Sequence, residues 1–231
     1  MSSGVATSKI RKREKTGALT QEARSHRSRA RVLEAALELF SHRGYGATSI
    51  RDIAETAGLS TGNVYHHFAD KEAIFQELLD QYWAAIDSEE SVFNKALASG
   101  PIPDNLEAIG FAARDWVDQW RRHVALIYVD VVEFEGSHIR RFYANMATSF
   151  ERFAERNKDS LRAETKLRPG ITPGAALMLA TRFFMNYFAV ELLFGVPDHF
   201  GKDTRRVIHE IADILRHGMA AAPEEERAPA G

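Results

Sequence analysis

The chain has 231 residues, 45% of them hydrophobic, which is enough for one large or two small folded domains. It contains no cysteine, which excludes a disulfide framework, a thiolate zinc site and a cysteine nucleophile. The first residues lack an apolar run, and no stretch reaches about 18 uncharged apolar residues. We therefore expect no signal peptide, no contact with a membrane and a cytoplasmic location.

The net charge of −2 conceals an uneven distribution. Residues 1–45 contain 10 Lys or Arg and 4 Asp or Glu, a net charge of +6, so residues 46–231 carry −8. A basic end on an acidic body suits a surface that faces a polyanion, although basic tails are often merely solvated. Residues 1–20 include KIRKREK and few apolar side chains, which predicts a disordered basic arm. Its hypothetical binding place is a minor groove or the phosphates of DNA.

The first predicted helix, over residues 21–41, is amphipathic, and Gly44 and Gly46 stop it. A short second helix is predicted over residues 48–56, with Thr48 as N-cap and Asp52 in its first turn. Gly58 supplies the positive φ that ends this helix. The inner face of the first helix carries Val32, Leu33, Ala36, Leu37, Leu39 and Phe40.

The stretch TSIRDIAETAGLSTGNVYHHF, residues 48–68, predicts two short helices joined by a tight turn, a helix-turn-helix. Ser60 is expected to cap the second helix, and Val64 is expected to point inward. Short polar and aromatic side chains on the outer face can reach base edges and phosphates in a major groove. The alternative is a surface helical hairpin in which these groups only cap and pack. The outward-facing residues are Thr61, Gly62, Asn63, Tyr65 and His66.

Residues 29–79 resemble the DNA-binding domain of the TetR family of bacterial transcriptional regulators. The similarity lies in LFSHRGYGATS, in the turn AGLS, in GNVYHHF and in DKEAIF. The resemblance implies an all-α fold of nine helices, with a three-helix helix-turn-helix head and a helical-bundle body that binds a ligand and dimerises. Thr61 stands where the family often has Lys or Arg, which predicts a different operator sequence or weaker affinity.

The resemblance also places Tyr45 and Thr48 close to the DNA backbone. Asp70 is expected to cap the next helix, and Lys71 in its first turn is a candidate phosphate ligand, with a solvated surface lysine as the alternative. We predict an arm at 1–20, a DNA-binding domain at 21–68, a ligand-binding and dimerisation domain at 69–220 and a flexible tail at 221–231. The predicted DNA-binding residues are Tyr45, Thr48, Ser60, Thr61, Gly62, Asn63, Tyr65, His66 and Lys71.

The body is predicted to contain a long helix from Asp70 that extends toward Leu97, then helices over 104–121, 123–134, 137–167, 173–194 and 203–219. The helix over 173–194 is apolar over most of its circumference and must be buried on more than one side. With the last helix it forms a candidate twofold four-helix interface between two chains, and burial within one monomer is the alternative. The predicted interface residues are Leu177, Phe184, Tyr187, Leu192, Val207, Ile211, Ile214 and Leu215.

Aromatic side chains are spread over the helices of the body, and most should form its core. The resemblance implies a pocket for a small effector among these helices, and we expect the effector to be largely hydrophobic or aromatic. The predicted lining residues are Trp83, Phe111, Trp120, Ile127, Phe134, Phe142, Met146, Phe184 and Phe188.

No motif for a catalytic nucleophile, a phosphate-binding loop or a metal site is present, so we expect no enzyme activity, cofactor or metal. The favoured function is a homodimeric repressor that binds a near-palindromic operator in double-stranded DNA and is released by an effector. One alternative is an architectural or cell-cycle DNA-binding protein of the same fold without an effector. The other is an enzyme with an accessory DNA-binding head.

Overall fold

The computed structural model describes residues 4–159 and 167–219, and for residues 4–20 it describes the backbone alone. The chain divides into two compact units, Met1–Leu79 and Asp80–Gly231. Ten helices lie complete within the described ranges, nine of seven residues or more and a short one of six. These ranges contain no β-strand, which confirms the predicted all-α architecture.

The first unit contains α1, α2, α3 and the first part of α4. Its core is the apolar face of α1, as predicted, together with inward residues of the next three helices. The buried set includes Val32, Ala36, Phe40, Ile53, Ala54, Val64, Ile74 and Phe75. The helices are α1 Gly4–Arg43, α2 Ile50–Ala57, α3 Thr61–His67 and α4 Lys71–Asp87.

The backbone is helical from Gly4, in contrast to the predicted disordered arm and a helix starting at residue 21. Residues 4–20 contain no proline, and their Ala, Leu, Lys, Arg and Glu have high helix propensity. Residues 1–3 of the predicted arm and the predicted flexible tail, 221–231, lie outside the described residues.

The boundary between the units falls inside α4, after Leu79, which is 11 residues later than the predicted boundary at residue 68. The Phe75 ring lies 5.6 Å from the ring of Phe40 and 5.5 Å from the ring of Tyr45. Glu77 forms a 2.9 Å ion pair with Arg29 on α1. The first half of α4 therefore packs into the head.

The second unit is a helical bundle in which α9 is central. This helix packs against α6, α7 and α8, and α6 also packs against α5 and α10. The core of the second unit includes Ile109, Trp116, Leu177, Phe184, Phe188 and Ile208. Besides the end of α4, the unit contains α5 Val92–Leu97, α6 Leu106–Gln119, α7 Arg121–Glu133, α8 Arg140–Arg156, α9 Pro173–Leu193 and α10 Thr204–Met219.

A glycine on α6 allows its close approach to two neighbouring helices. A Cβ at Gly110 would lie 2.8 Å from Ile208 Cγ2 on α10 and 3.0 Å from Phe184 Cε1 on α9. By length and composition α9 could cross a membrane, with a mean hydropathy of 1.3. Half of that segment is buried among the other helices, which is the arrangement of a core helix.

Two helices of the body end earlier than predicted. α4 ends at Asp87, because Ser91 begins a new helix: its hydroxyl accepts a 3.0 Å bond from the Asn94 backbone. The Asn94 amide also donates a 2.9 Å bond to the Ser88 carbonyl, which holds the turn between the helices. α8 ends at Arg156 instead of residue 167, and residues 160–166 lie outside the described ranges.

Candidate DNA interface and body cavity

The N-terminus of α2 is capped by Ser49, so the prediction of Thr48 as N-cap was wrong. The Ser49 N–H donates a 2.8 Å bond to Asp52 Oδ2, and the Asp52 N–H donates a 3.1 Å bond to Ser49 Oγ. The Thr48 side chain faces inward instead, and its hydroxyl donates to the Gly44 carbonyl at 2.9 Å. Since Thr48 is only 2% exposed, its side chain is not available to the DNA backbone.

The hydrogen bonds between Ser49 and Asp52, which form a capping box, also change the pKa of Asp52. The Ser49 hydroxyl, as the largest cause, and then the Ser49 backbone N–H lower the pKa of Asp52 below its ordinary value. A carboxylate in the first turn of a helix is also favoured by the helix dipole.

The turn between α2 and α3 has the predicted geometry. Gly58 has φ 62° and ψ 41°, the left-handed conformation, and the Leu59 N–H closes the turn on the Ala54 carbonyl at 2.9 Å. A Cβ at Gly58 would lie 2.7 Å from Arg31 Nη2, which itself donates to the Gly58 carbonyl. The left-handed backbone at this position favours glycine, whereas the Arg31 guanidinium, at the end of a flexible side chain, could move aside for a Cβ.

The outer face of α3 presents four of the five predicted residues. Ser60 caps the helix by accepting a 3.2 Å bond from the Asn63 N–H, and Val64 is fully buried. Together these contacts fix the rotation of α3, so that Thr61, Gly62, Tyr65 and His66 are exposed. That these side chains contact DNA stays a prediction.

The remaining residue of the predicted set, Asn63, is only half-buried rather than fully outward. Its Oδ1 atom is buried and accepts no hydrogen bond from the described part of the chain. Beside it, a Cβ at Gly62 would meet only Ser60 Oγ, at 3.9 Å. Packing within the head therefore does not require glycine at position 62.

Lys71 is neither a solvated lysine nor an open phosphate ligand. Its ammonium donates bonds of 2.7 Å to the carbonyl oxygens of both Tyr45 and Thr48. It also lies 3.9 Å from the centroid of the Tyr45 ring, which packs 5.4 Å from the ring of Phe40. Lys71 thus ties the start of α4 to the loop between α1 and α2. Asp70 caps α4 as predicted, accepting a 2.7 Å bond from the Ala73 N–H.

The two histidines at the end of α3 differ in environment. His66 is exposed, whereas His67 is half-buried. Burial, as the main cause, with the nearby charges of His66 and Arg29, lowers the pKa of His67 and so disfavours its charged form. In the described ranges no three His, Asp or Glu side chains come together as a metal site.

A cavity of about 510 Å³ lies in the second unit, between α4, α7, α8 and α9. Four of the predicted lining residues face it: Trp83, Ile127, Phe142 and Met146. We call this space the inner cavity. Its lining also includes Tyr82, Tyr143, Thr181, Arg182 and Asn186, which the sequence analysis missed. The helical spacing of 182, 185, 186 and 189 could have identified the α9 contribution.

The other five predicted lining residues lie elsewhere. Phe184 and Phe188 are fully buried in the core, and Trp120 stacks on Trp116 at 5.4 Å. Phe134 packs on another ring, and Phe111 is on the surface beneath Arg205. Periodicity identifies the apolar face of a helix but not the partner that covers it.

A second cavity of about 530 Å³ adjoins the inner cavity and shares five lining residues with it. We call it the outer cavity. Its remaining wall mixes charges of both signs, with Arg152 and Arg156 near Asp87 and Glu155. The shared residues are Ile86, Phe93, Phe142, Met146 and Phe150.

The predicted dimer interface needs correction because most of its residues are buried in their own unit. Leu177, Phe184, Tyr187, Val207 and Ile211 are at most 5% exposed, and Leu192 and Leu215 are half-buried. Ile214 is 70% exposed, as an interface residue should be. On α9 the exposed apolar residues are instead Leu179 and Phe183, at 54% and 44%. Because α9 is apolar on both faces, its sequence does not show which face the core covers.

Comparison with known proteins gives a consistent result. Residues 32–78 match the family model of bacterial regulatory proteins, tetR family. The transcriptional repressor KstR2 of Rhodococcus jostii is 30% identical over 123 residues, 53% of this chain and 59% of the relative, so the chain spans less than two thirds of that protein. The transcriptional regulator AcrR of Shigella flexneri is 27% identical over 71% of this chain and 76% of its own length.

Among solved structures, NalD, the secondary repressor of the MexAB-OprM multidrug efflux pump in Pseudomonas aeruginosa, has a similar fold. The TM-score is 0.58 at 22% identity, and the match covers 86% of this chain and all of NalD. At this identity the likeness shows the fold alone.

Proposed function

The chain belongs to the TetR family of bacterial regulatory proteins, and we propose that it is a homodimeric, cytoplasmic repressor of transcription that a small apolar effector releases from its operator. The observation that carries this proposal is the exposed face of α3 on a head whose caps and turn are formed locally. The description of KstR2 as a transcriptional repressor supports repression as the direction of regulation.

In the proposed complex α3 lies in the major groove. Thr61, Tyr65 and His66 project from it with hydroxyl and imidazole groups that can bond to base edges or phosphates. Gly62 gives the helix a surface without a side chain, which allows close approach to the DNA. The Ser60 cap and buried Val64 fix this face before binding.

The proposed dimer pairs the exposed faces of α9 and α10 with the same faces of a second chain. Leu179 and Phe183 on α9 and Ile214 on α10 are large apolar side chains left outside the core. Their burial in a twofold four-helix interface would remove apolar surface from water. Two heads on one dimer then meet half-sites about 34–36 Å apart, or a multiple of this.

The proposed effector site is the inner cavity, whose volume of about 510 Å³ is in the range of small-molecule sites. α4 contributes Tyr82, Trp83 and Ile86 to its wall. The same helix begins at Lys71, which holds the loop of the head. We propose that an effector displaces α4 and changes the spacing of the two heads, which requires different effector affinities in the free and DNA-bound states. An architectural protein without an effector would need no such cavities.

The test of the DNA-binding function is selection of bound fragments from the genomic DNA of the source organism, followed by footprinting. We expect the bound fragments to share a near-palindromic sequence, with protection of two half-sites. Fragments with no shared sequence, bound as weakly as bulk DNA, would contradict a sequence-specific regulator.

A further inference from the structure

The inner cavity has apolar walls but an unusual set of polar groups. Its wall contains hydroxyl groups, an amide and one guanidinium, that of Arg182, and no Asp or Glu among the described residues. Every one of these groups can donate a hydrogen bond. Because no protein carboxylate lines this wall, the wall has few hydrogen-bond acceptors and no negatively charged side chain.

Arg182 is an exposed residue of α9, and its guanidinium contacts two other lining residues of the inner cavity. Its carbon is 5.4 Å from the centroid of the Tyr143 ring, and its Nη1 is 3.3 Å from Met146 Sδ. Both Tyr143 and Met146 face the inner cavity. Within the described part of the chain no carboxylate forms an ion pair with Arg182. The site therefore has a positive charge next to apolar surface without an internal counter-charge.

A neighbouring hydroxyl is also unsatisfied. Thr181 is 7% exposed, and its Oγ1 is buried and has no hydrogen-bond partner among the described residues. Burial of such a hydroxyl without a partner is costly, and a ligand acceptor would remove that cost. Thr181 and Arg182 are adjacent on α9, and both line the cavity.

Two tyrosines add donors to the same wall. Burial, as the largest cause, raises the pKa of Tyr143 above its ordinary value, and the charge of Arg182 opposes this shift. Burial also raises the pKa of Tyr82, whose oxygen accepts a 3.2 Å bond from Trp116 Nε1. Both phenols are therefore protonated at neutral pH and can donate to a ligand.

The outer cavity lacks this character. Its two arginines, Arg152 and Arg156, are matched by two carboxylates, Asp87 and Glu155. A wall with balanced charges gives little preference for the sign of a ligand. Discrimination between ligands of different charge would therefore come from the inner cavity.

We infer that the inner cavity binds an apolar acid, whose carboxylate is held by Arg182 with help from the Thr181 hydroxyl and whose hydrocarbon part lies against Trp83, Phe142 and their apolar neighbours. A guanidinium binds a carboxylate through two parallel hydrogen bonds, a geometry that the alcohol and the cationic head group cannot reproduce. The regulatory meaning of this ligand rests on the proposed function, but its binding does not require DNA.

Intrinsic fluorescence is a direct readout, because two of the three tryptophans of the chain line this cavity and the third stacks on one of them. Trp83 and Trp116 line the inner cavity, and Trp120 stacks on Trp116. The full-length protein is titrated, below micelle-forming concentrations, with dodecanoate, dodecan-1-ol and dodecyltrimethylammonium. These probes share one chain length and differ in head-group charge. We expect dodecanoate to bind at least about tenfold more tightly than the alcohol, and the cation to bind most weakly.

Substitution of the arginine separates charge recognition from general apolar binding. Arg182→Gln should remove the preference for dodecanoate while the affinity for the alcohol is unchanged, and Arg182→Lys should keep part of the preference. The matched control is Arg205→Gln, since the Arg205 guanidinium also lies over a ring, that of Phe111 at 5.9 Å, but lines neither cavity. This control should keep the full preference.

Equal binding of dodecanoate and the alcohol to the unsubstituted protein would overturn the inference, as would an unchanged preference in Arg182→Gln. A lack of fluorescence response to all three probes would overturn it as well. Each of these results would leave operator binding, measured separately without probes, unaffected. If instead the protein recognised no operator, the preference for dodecanoate would still be expected, so the two failures are distinguishable.

Discussion

The Lys71 ammonium lies 3.9 Å from the centroid of the Tyr45 ring and donates a 2.7 Å hydrogen bond to the carbonyl oxygen of the same residue. A second bond of equal length reaches the Thr48 carbonyl. One side chain thereby satisfies two backbone acceptors in the loop that leads from α1 into the helix-turn-helix. The position of α2 and α3 depends on this loop, so Lys71 links the stability of the head to its DNA-binding geometry.

Replacing Lys71 should therefore destabilise the head. We expect Lys71→Met to lower the free energy of unfolding by about 1–3 kcal/mol, because the half-buried Lys71 ammonium no longer donates its two charge-assisted hydrogen bonds. Chemical denaturation followed by circular dichroism measures this change. The control is Lys95→Met, whose ammonium pairs only with exposed Glu90 in the second unit. A Lys71 variant as stable as this control would show that the bonds do not support the loop.

Gly62 offers a test that separates a structural role from a DNA contact. Gly62→Ala should keep or raise stability, by up to about 1 kcal/mol, because alanine favours helix and its Cβ would make only an ordinary contact with Ser60 Oγ, at 3.9 Å. Operator affinity should fall, since the added methyl group stands on the face of α3 that we place against DNA. Gly218→Ala in α10 is the matched control, because a Cβ there would meet nothing within 4 Å and the site lies outside the head. Gly62→Ala with unchanged operator affinity would remove this residue from the interface.

The capping box of α2 predicts a specific dependence on acid. The pKa of Asp52 is lowered in the folded chain, so its ionised form contributes stability above the ordinary value of 3.8, and that contribution is lost as the pH falls toward the folded pKa. Asp52→Asn should be less stable than the unsubstituted protein at neutral pH. The difference in melting temperature should shrink below about pH 4, where the carboxylate is protonated in the unfolded chain. A constant difference across this range would show that the charge is not involved.

The exposed apolar face of α9 and α10 should control the oligomeric state. Phe183→Glu or Ile214→Glu places a charge where the proposed dimer buries apolar surface, and we expect monomers in sedimentation velocity. Val132→Glu, on α7 at a position that is 80% exposed, should leave the dimer intact. Monomers in the unsubstituted protein at micromolar concentration, or dimers in both variants, would exclude this face.

Local features of the head could be predicted from the sequence because each depends on a few neighbouring residues. Gly58 ends α2 and Ser60 caps α3, where short-range geometry favours those residue types. The choice between Thr48 and Ser49 as N-cap could not be made locally, because either hydroxyl can cap a helix. Tertiary contacts decide which residue caps the helix. Lys71 binds the Thr48 carbonyl, and the core covers the Thr48 side chain.

Features of the body were harder to predict because they depend on which helices meet. Phe184 on α9 and Ile214 on α10 both belong to apolar patterns in the sequence, yet Phe184 is fully buried and Ile214 is 70% exposed. Arg182 was overlooked because an arginine within an apolar run predicts an exposed position, which it has, and does not show that the side chain also lines a cavity. Its place beside Tyr143 and Met146 follows from the packing of α8 on α9, which no single-helix pattern contains.

The most direct test of the central claim is fluorescence anisotropy of the full-length protein on its selected operator and on a scrambled duplex of equal length. We predict tight binding to the operator alone, and a loss of about 1–3 kcal/mol for Tyr65→Ala, as for one base contact. Tyr128→Ala, which removes an exposed tyrosine from the second unit, should bind as the unsubstituted protein does. Equal affinity for both duplexes, or full operator affinity in Tyr65→Ala, would contradict recognition of DNA by α3.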